Sequence, residues 1–124
     1  MTTHTLRVPA LSPWISSNQH THWRNRHALT ADWRNRAGWA AVRAKIPALG
    51  EGPVTITATV HRKDRRRYDL DGITPTVKAC IDGLRDALVL AEDHSGVITE
   101  LTIRAGEPRP EPCLILTITE TEKP

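Results

Sequence analysis

Residues 53–62, PVTITATVHR, alternate without a break: Val54, Ile56, Ala58 and Val60 fall on one side, Thr55, Thr57, Thr59 and His61 on the other. Successive side chains of a strand point to opposite faces, so this pattern predicts a half-buried strand. Residues 4–10, HTLRVPA, predict a shorter first strand, broken by Pro9 and Pro13. Two final strands are predicted at about 97–105 and 113–121, joined by the Gly- and Pro-rich turn GEPRPEP. Helical spacing occurs twice. From Thr30, read as an N-cap with Asp32 in the first turn, a helix is predicted to about Ile46, with Trp33, Ala37, Ala40, Ala41 and Ala44 recurring at three and four. Arg34, Arg36, Arg43 and Lys45 fill much of its other side, and Pro47 and Gly50 end it. Thr74-Pro75 opens a second helix, with Val77, Ile81, Leu84 and Leu88 forming one apolar stripe. The segment between the first strand and the first helix, 11–27, is polar and turn-rich. The order β-α-β-α-β-β predicts an α+β fold, two helices packed on one face of a small mixed β-sheet.

Composition narrows this picture. The chain has 124 residues, which suits a single domain, 1–124, with one modest core. With no phenylalanine and one tyrosine, that core must come from Val, Ile, Leu, Ala and some of the four tryptophans. The formal charge is only +3, yet residues 1–67 hold twelve Lys/Arg against three Asp/Glu, and residues 68–124 hold five against eleven. Such asymmetry suggests a basic docking surface beside an acidic centre; the bland alternative is solvated faces segregated by sign. Cys80 and Cys113 lie far apart, in segments that read as buried, with no CxxC, which fits a reducing cytoplasm. No apolar leader opens the chain and no apolar run is long enough for a membrane span, so the expectation is a cytoplasmic protein with no membrane partner.

The chemistry concentrates between residues 62 and 93. Arg62, Lys63, Arg65, Arg66 and Arg67 are five cations in six residues, and Asp69 and Asp71 follow directly. If Tyr68 to Asp71 is extended, Asp69 and Asp71 share one side with Cα atoms roughly 6–7 Å apart. Two carboxylates that close suit a hard divalent ion such as Mg²⁺ or Mn²⁺, which keeps several waters. Lys78 and Asp82, four apart, share a helix face, and a turn after the helix could return Glu92 and Asp93 toward the Asp pair. Each feature alone has a plain reading: a turn, a cap, an ordinary surface ion pair. Together they are the parts of metal-assisted phosphodiester hydrolysis, with carboxylates for the ion and cations for phosphate.

The stretch RRRYDLDGITPTVKACIDGLRDALVLAEDHSGVI resembles the core of the RusA-type endodeoxyribonucleases, Holliday junction resolvases found largely in phages and prophages. That family shows an Arg-rich lead into D-x-D-N, a lysine, a D-x-L helix and an acidic pair after the helix. The opening LSPWISSNQHTHWR is also similar to the family's N-terminal segment, with a proline before a small-residue pair and an Asn. The resemblance implies a Mg²⁺-dependent endonuclease, with Mn²⁺ able to substitute, that resolves four-way DNA junctions by paired nicks in recombination and repair. It implies metal-binding roles for Asp69, Asp71 and Asp93 and a supporting catalytic role for Lys78. Glu92 takes the place of the first acid of the pair, Asp82 matches the helix acid, and Asn18 would position backbone or substrate. It further implies a homodimer, since a four-way junction is two-fold symmetric. Two departures stand out: Gly72 replaces the family's Asn, and Lys78 lies seven residues after Asp71, further than in the shortest family versions. Gly72 leaves open a catalytically weakened junction-binding protein on the same scaffold. An unrelated basic interaction module would leave the acidic cluster unexplained.

Around this core, Arg62, Lys63, Arg65, Arg66 and Arg67 are expected to contact DNA phosphates, which supply most sequence-independent affinity. His20, His22 and His27 do not make a zinc site, because no cysteine or HxxxH partner completes a tetrahedral set. His22-Trp23 could meet the DNA backbone or cover the core. His94, beside Asp93, reads as an exposed turn residue or an aid to water activation.

Overall fold

The computed structural model describes residues 2–17 and 23–122. Strand β1 (Thr3–Pro9) is followed by helix α1 (Trp23–Arg43), strand β2 (Val54–His61), helix α2 (Thr74–Asp86), strand β3 (Ile98–Ala105) and strand β4 (Cys113–Glu120). A single 3₁₀ turn, Asp71–Ile73, leads into α2. The four strands form one mixed sheet in the order β1-β4-β2-β3. β4 runs antiparallel to both β1 and β2, whereas β2 and β3 are parallel. Parallel neighbours need a crossover connection, and α2 supplies it. The turn 106–112 therefore does not close a hairpin: it carries the chain from the β3 edge past β2 into the middle of the sheet.

The alternation of β2 is realised in full. Val54, Ile56, Ala58 and Val60 are buried, beside Leu6 and Val8 of β1 and Leu114, Leu116 and Ile118 of β4. Against this face pack Trp33, Ala37 and Ala41 of α1 and Val77, Cys80, Ile81 and Leu84 of α2. The opposite face is threonine-rich, and one row, Thr5, Thr117, Thr57 and Thr102, crosses all four strands in register. Burial of the apolar face, about 25 cal/mol per Å², is what the alternation secures. The architecture is thus α+β, with the helices on the apolar face of a small mixed sheet.

The two helices touch through glycines. A Cβ on Gly83 would stand 2.2 Å from the Arg34 carbonyl oxygen, and one on Gly38 would stand 3.2 Å from that of Gly83. No larger residue fits at Gly83 without parting the helices. Arg34 bridges the same contact, donating from Nε at 2.6 Å and Nη2 at 2.7 Å to the Asp86 carboxylate.

Helix boundaries depart from the sequence reading. α1 begins at Trp23, and Thr30 is not its N-cap: its hydroxyl donates to the Arg26 carbonyl at 2.9 Å, one turn back. A threonine hydroxyl can cap a helix or bond within it, and the sequence alone does not separate the two. α1 stops at Arg43, short of Ile46, and Ala44 is exposed. Leu88 does not continue the α2 stripe. It lies beyond the helix with φ 62° and is 74% exposed. Around it, Leu88 N bonds the Arg85 carbonyl at 3.0 Å and Val89 N the Leu84 carbonyl at 2.9 Å, a Schellman motif with leucine in the left-handed position. Lys45, with φ 55°, ends α1 the same way, through Lys45 N to Val42 O and Ile46 N to Ala41 O, both 3.1 Å. The next two residues, Val89 and Leu90, are the ones buried in the core. Cys80 and Cys113 are buried free thiols, and burial pushes the Cys80 thiol well above its usual pKa. Among the described residues no helix is long and apolar enough to cross a membrane.

Candidate nucleic-acid interface and acidic face

The basic loop leaves β2 at Arg62, which turns inward. Its guanidinium lies 4.7 Å from the Tyr68 ring centroid and 5.9 Å from that of Trp14, and its carbonyl accepts the Arg109 amide at 2.8 Å. Trp14 in turn stacks at 5.0 Å and 34° on Trp33, whose indole N–H donates to the Pro13 carbonyl at 2.9 Å. Arg36 closes the other end of the row, 5.9 Å over Trp33. Each cation–ring contact is worth about 0.5–1 kcal/mol at partly exposed sites. Arg62 therefore clamps the base of the loop to the body of the protein, a different place from the exposed phosphate contact expected of it. Burial raises the Tyr68 phenol pKa, against the opposing pull of Arg62. Lys63, Arg65, Arg66 and Arg67 are exposed. Asp64 shapes their loop by accepting the Arg66 amide at 3.0 Å, with the Arg66 guanidinium 3.7 Å from the same carboxylate.

The N-terminal segment is fastened to the start of α2. Thr76, fully buried, accepts the Ile15 amide at 2.8 Å and donates to the Ile15 carbonyl at 2.9 Å. Two residues on, the Ser17 amide bonds the Gly72 carbonyl at 2.9 Å. The chain thus reaches the turn that carries Asp71 just before Asn18. Asn18, His20 and His22 lie outside the described residues, as does the side chain of Trp23. His27 is exposed on α1.

Tyr68 to Asp71 is not extended. Leu70 has helical angles (φ −61°, ψ −44°), and the amides of Gly72 and Ile73 bond the carbonyls of Asp69 and Leu70 at 3.1 Å each. The side-by-side projection expected of Asp69 and Asp71 is lost, because alternation belongs to extended backbone only. The reason is local: Asp71 opens the 3₁₀ turn, and its carbonyl accepts the Thr74 hydroxyl at 2.6 Å. Asp71 instead stands at the N-terminal end of α2, where a negative charge complements the helix dipole. Gly72 is buried and does not use a left-handed φ.

One turn into α2, Lys78 gathers two carboxylates. Its Nζ donates to Asp82 Oδ1 at 3.0 Å and to Asp93 Oδ2. The loop after the helix does return Asp93 to α2, as the spacing suggested, but to Lys78 and Asp82. Arg85, which the sequence reading passed over, completes the cluster, 3.8 Å from Asp93 and 3.6 Å from Glu92. Its signal was in the sequence, since Lys78, Asp82 and Arg85 sit at i, i+4 and i+7. Its hydrogen bond to Asp93, followed by that to Asp82, raises the Lys78 pKa, and accepting that bond holds the Asp93 carboxyl below its ordinary value. Lys78 is accordingly an ammonium cation across the neutral range and has no free pair with which to take a proton. His94 accepts the Gly96 amide on Nδ1 at 3.0 Å and serves its own turn.

Carboxylate oxygens are the right donors for Mg²⁺ or Mn²⁺. Among the described residues no three His, Cys, Asp or Glu side chains are grouped to hold a metal ion. Asp93 faces two cations, Lys78 and Arg85, and Asp69 and Asp71 flank Leu70, whose backbone is helical rather than extended. Asp69, Asp71 and Asp93 are thus not gathered into one three-carboxylate group among the described residues. No protein-family model and no curated protein matches the sequence, so the resemblance to RusA-type nucleases rests on its own motif residues.

Proposed function

We propose that this chain is a structure-selective DNA endonuclease of the RusA type, acting in the cytoplasm on four-way junctions as a homodimer. The observation that carries the reading is Lys78, which collects Asp82 and Asp93 on the helix whose N-terminal end bears Asp71 and adjoins the exposed Lys63, Arg65, Arg66 and Arg67. Cations able to hold phosphate therefore lie next in sequence to the carboxylates and lysine that hydrolysis calls for. In this reading the basic loop binds the backbone of branched DNA. Lys78, held protonated, offsets charge on the phosphate. Mg²⁺, or Mn²⁺ in its place, is the cofactor the chemistry calls for, with Asp69, Asp71 and Asp93 as the residues assigned to it by resemblance.

One observation favours a second reading on the same scaffold. The Lys78 and Arg85 contacts occupy Asp93, and Gly72 supplies no side chain beside Asp71. A junction-binding protein with weakened chemistry would tolerate both. Incubation of a synthetic four-way junction with the protein, in Mg²⁺ and in EDTA, separates the two: paired nicks in Mg²⁺ alone support the nuclease, and a shifted but uncut junction supports the binder.

A further inference from the structure

We propose that two copies of this chain join through the open edge of β3, in antiparallel register about Thr102, giving one continuous eight-stranded sheet. The inference deepens the dimeric reading above by assigning its surface.

β3 ends the sheet order and has a neighbour on one side only, β2. A long open edge invites another strand, and proteins normally blunt it with proline, lysine, a bulge or a covering element. The other edge, β1, is treated so. It ends at Pro9, and residues of α1 between Asp32 and Arg43, with Ala44 just beyond, form the far wall of a groove along it. β3 has eight residues with neither proline nor lysine, and its only irregularity lies at its start, opposite Val54/Thr55.

The apolar face of the sheet also runs on to β3 without being covered there. Leu101 and Ile103 align with Ile56 and Ala58, which are buried, yet Leu101 is 44% exposed and Ile103 only half-buried. Glu100, Thr102 and Arg104 align with Thr55, Thr57 and Thr59 on the opposite face. Hydrophobic surface left bare on a core-facing row is surface awaiting a neighbour.

The sequence of β3 answers to itself. In an antiparallel pair, opposed residues share a face, so a two-fold axis must pass through a residue position. Centred on Thr102, Leu101 meets the partner's Ile103 on the apolar face. On the other face Glu100 meets the partner's Arg104, and symmetry repeats both pairs. Centred one residue either way, Glu100 or Arg104 would face only a threonine, and the Leu–Ile match would be lost. One register alone satisfies both faces.

Sedimentation velocity of the free protein over a concentration series, without DNA or metal, tests this. The wild type is expected to sediment as a dimer. Glu100→Arg and Arg104→Glu each set like charges opposite at two symmetric places and should weaken the dimer about ten- to thirtyfold. Glu100→Arg/Arg104→Glu together restore the opposition and should restore the wild-type dissociation constant, which also shows that the variants fold. A wild type that stays monomeric throughout, single reversals without effect, or a double variant that fails to recover would each overturn the assignment. Because no junction or cleavage enters the measurement, its failure is distinct from failure of the nuclease reading.

Discussion

Lys78 on α2 and Asp93, fifteen residues further along, form a hydrogen-bonded ion pair that also takes in Asp82 at 3.0 Å from the same Nζ. Both partners are displaced from their ordinary pKa values in the direction that favours the charged pair. Asp93, lowered, contributes stability that is fully present above its unfolded value of about 3.9 and is lost as pH falls through the lower folded one. Lys78, raised, contributes stability present below its unfolded value of about 10.4 and lost as pH rises through the higher folded one. Lys78→Gln should therefore melt lower than wild type between about pH 4 and pH 10, with the gap closing outside that window. Thermal melts across pH check it; a gap unchanged at pH 2 would speak against the pair. With Lys78 partly exposed, the effect will be small.

The helix crossing gives a graded pair of variants. Gly83→Ala drives a methyl to 2.2 Å from the Arg34 carbonyl and should cost about 1–3 kcal/mol in urea unfolding. Gly38→Ala meets Gly83 O at 3.2 Å, a strain that the better helix propensity of alanine, about 1 kcal/mol, should nearly cancel. Equal costs for the two would mean the helices are not seated on Gly83.

Leu88 holds a left-handed conformation that disfavours a Cβ, and little of its side chain is buried. Leu88→Gly should stabilise the protein by about 0.5–1 kcal/mol, read from the denaturation midpoint.

Strand β2, helix α2 and the α+β architecture were legible because alternation at two and recurrence at three and four are imposed by burial itself. The start of α1 was not, since Trp23 to Thr30 carries mostly polar residues and a hydroxyl that bonds inside the helix. The position of β4 between β1 and β2 was likewise hidden, because strand order depends on long-range pairing that no local pattern records. At the candidate site helix spacing paired Lys78 with Asp82 and a return loop was foreseen, but that loop was aimed at Asp69 and Asp71, whereas Asp93 comes back to Lys78. The sequence reading also erred over Asp69 and Asp71, whose relation hinges on whether four residues are extended or turned. The role of Arg62 escaped because its aromatic partners, Trp14 and Tyr68, lie 48 residues before it and six after.

The loop arginines should divide by role. Arg65→Ala and Arg67→Ala should each weaken junction binding and make its salt dependence shallower by about one unit, with no change in melting temperature. Arg62→Ala should instead lower stability by about 1–2 kcal/mol, through loss of two ring contacts. Calorimetry beside binding titrations in varied salt separates them; an Arg62→Ala protein as stable as wild type would remove the clamp.

The central claim is that the carboxylates about α2 cut DNA that the basic loop holds. The most direct measurement is nicking of a labelled synthetic four-way junction by wild type and by Asp71→Asn, each with Mg²⁺ and with EDTA, alongside binding by gel shift. Wild type is expected to make paired nicks in Mg²⁺ and none in EDTA, and Asp71→Asn to bind the junction at least as tightly yet leave it intact. A wild type that binds but never cuts in Mg²⁺ or Mn²⁺, or one that cuts equally well in EDTA, would contradict that claim.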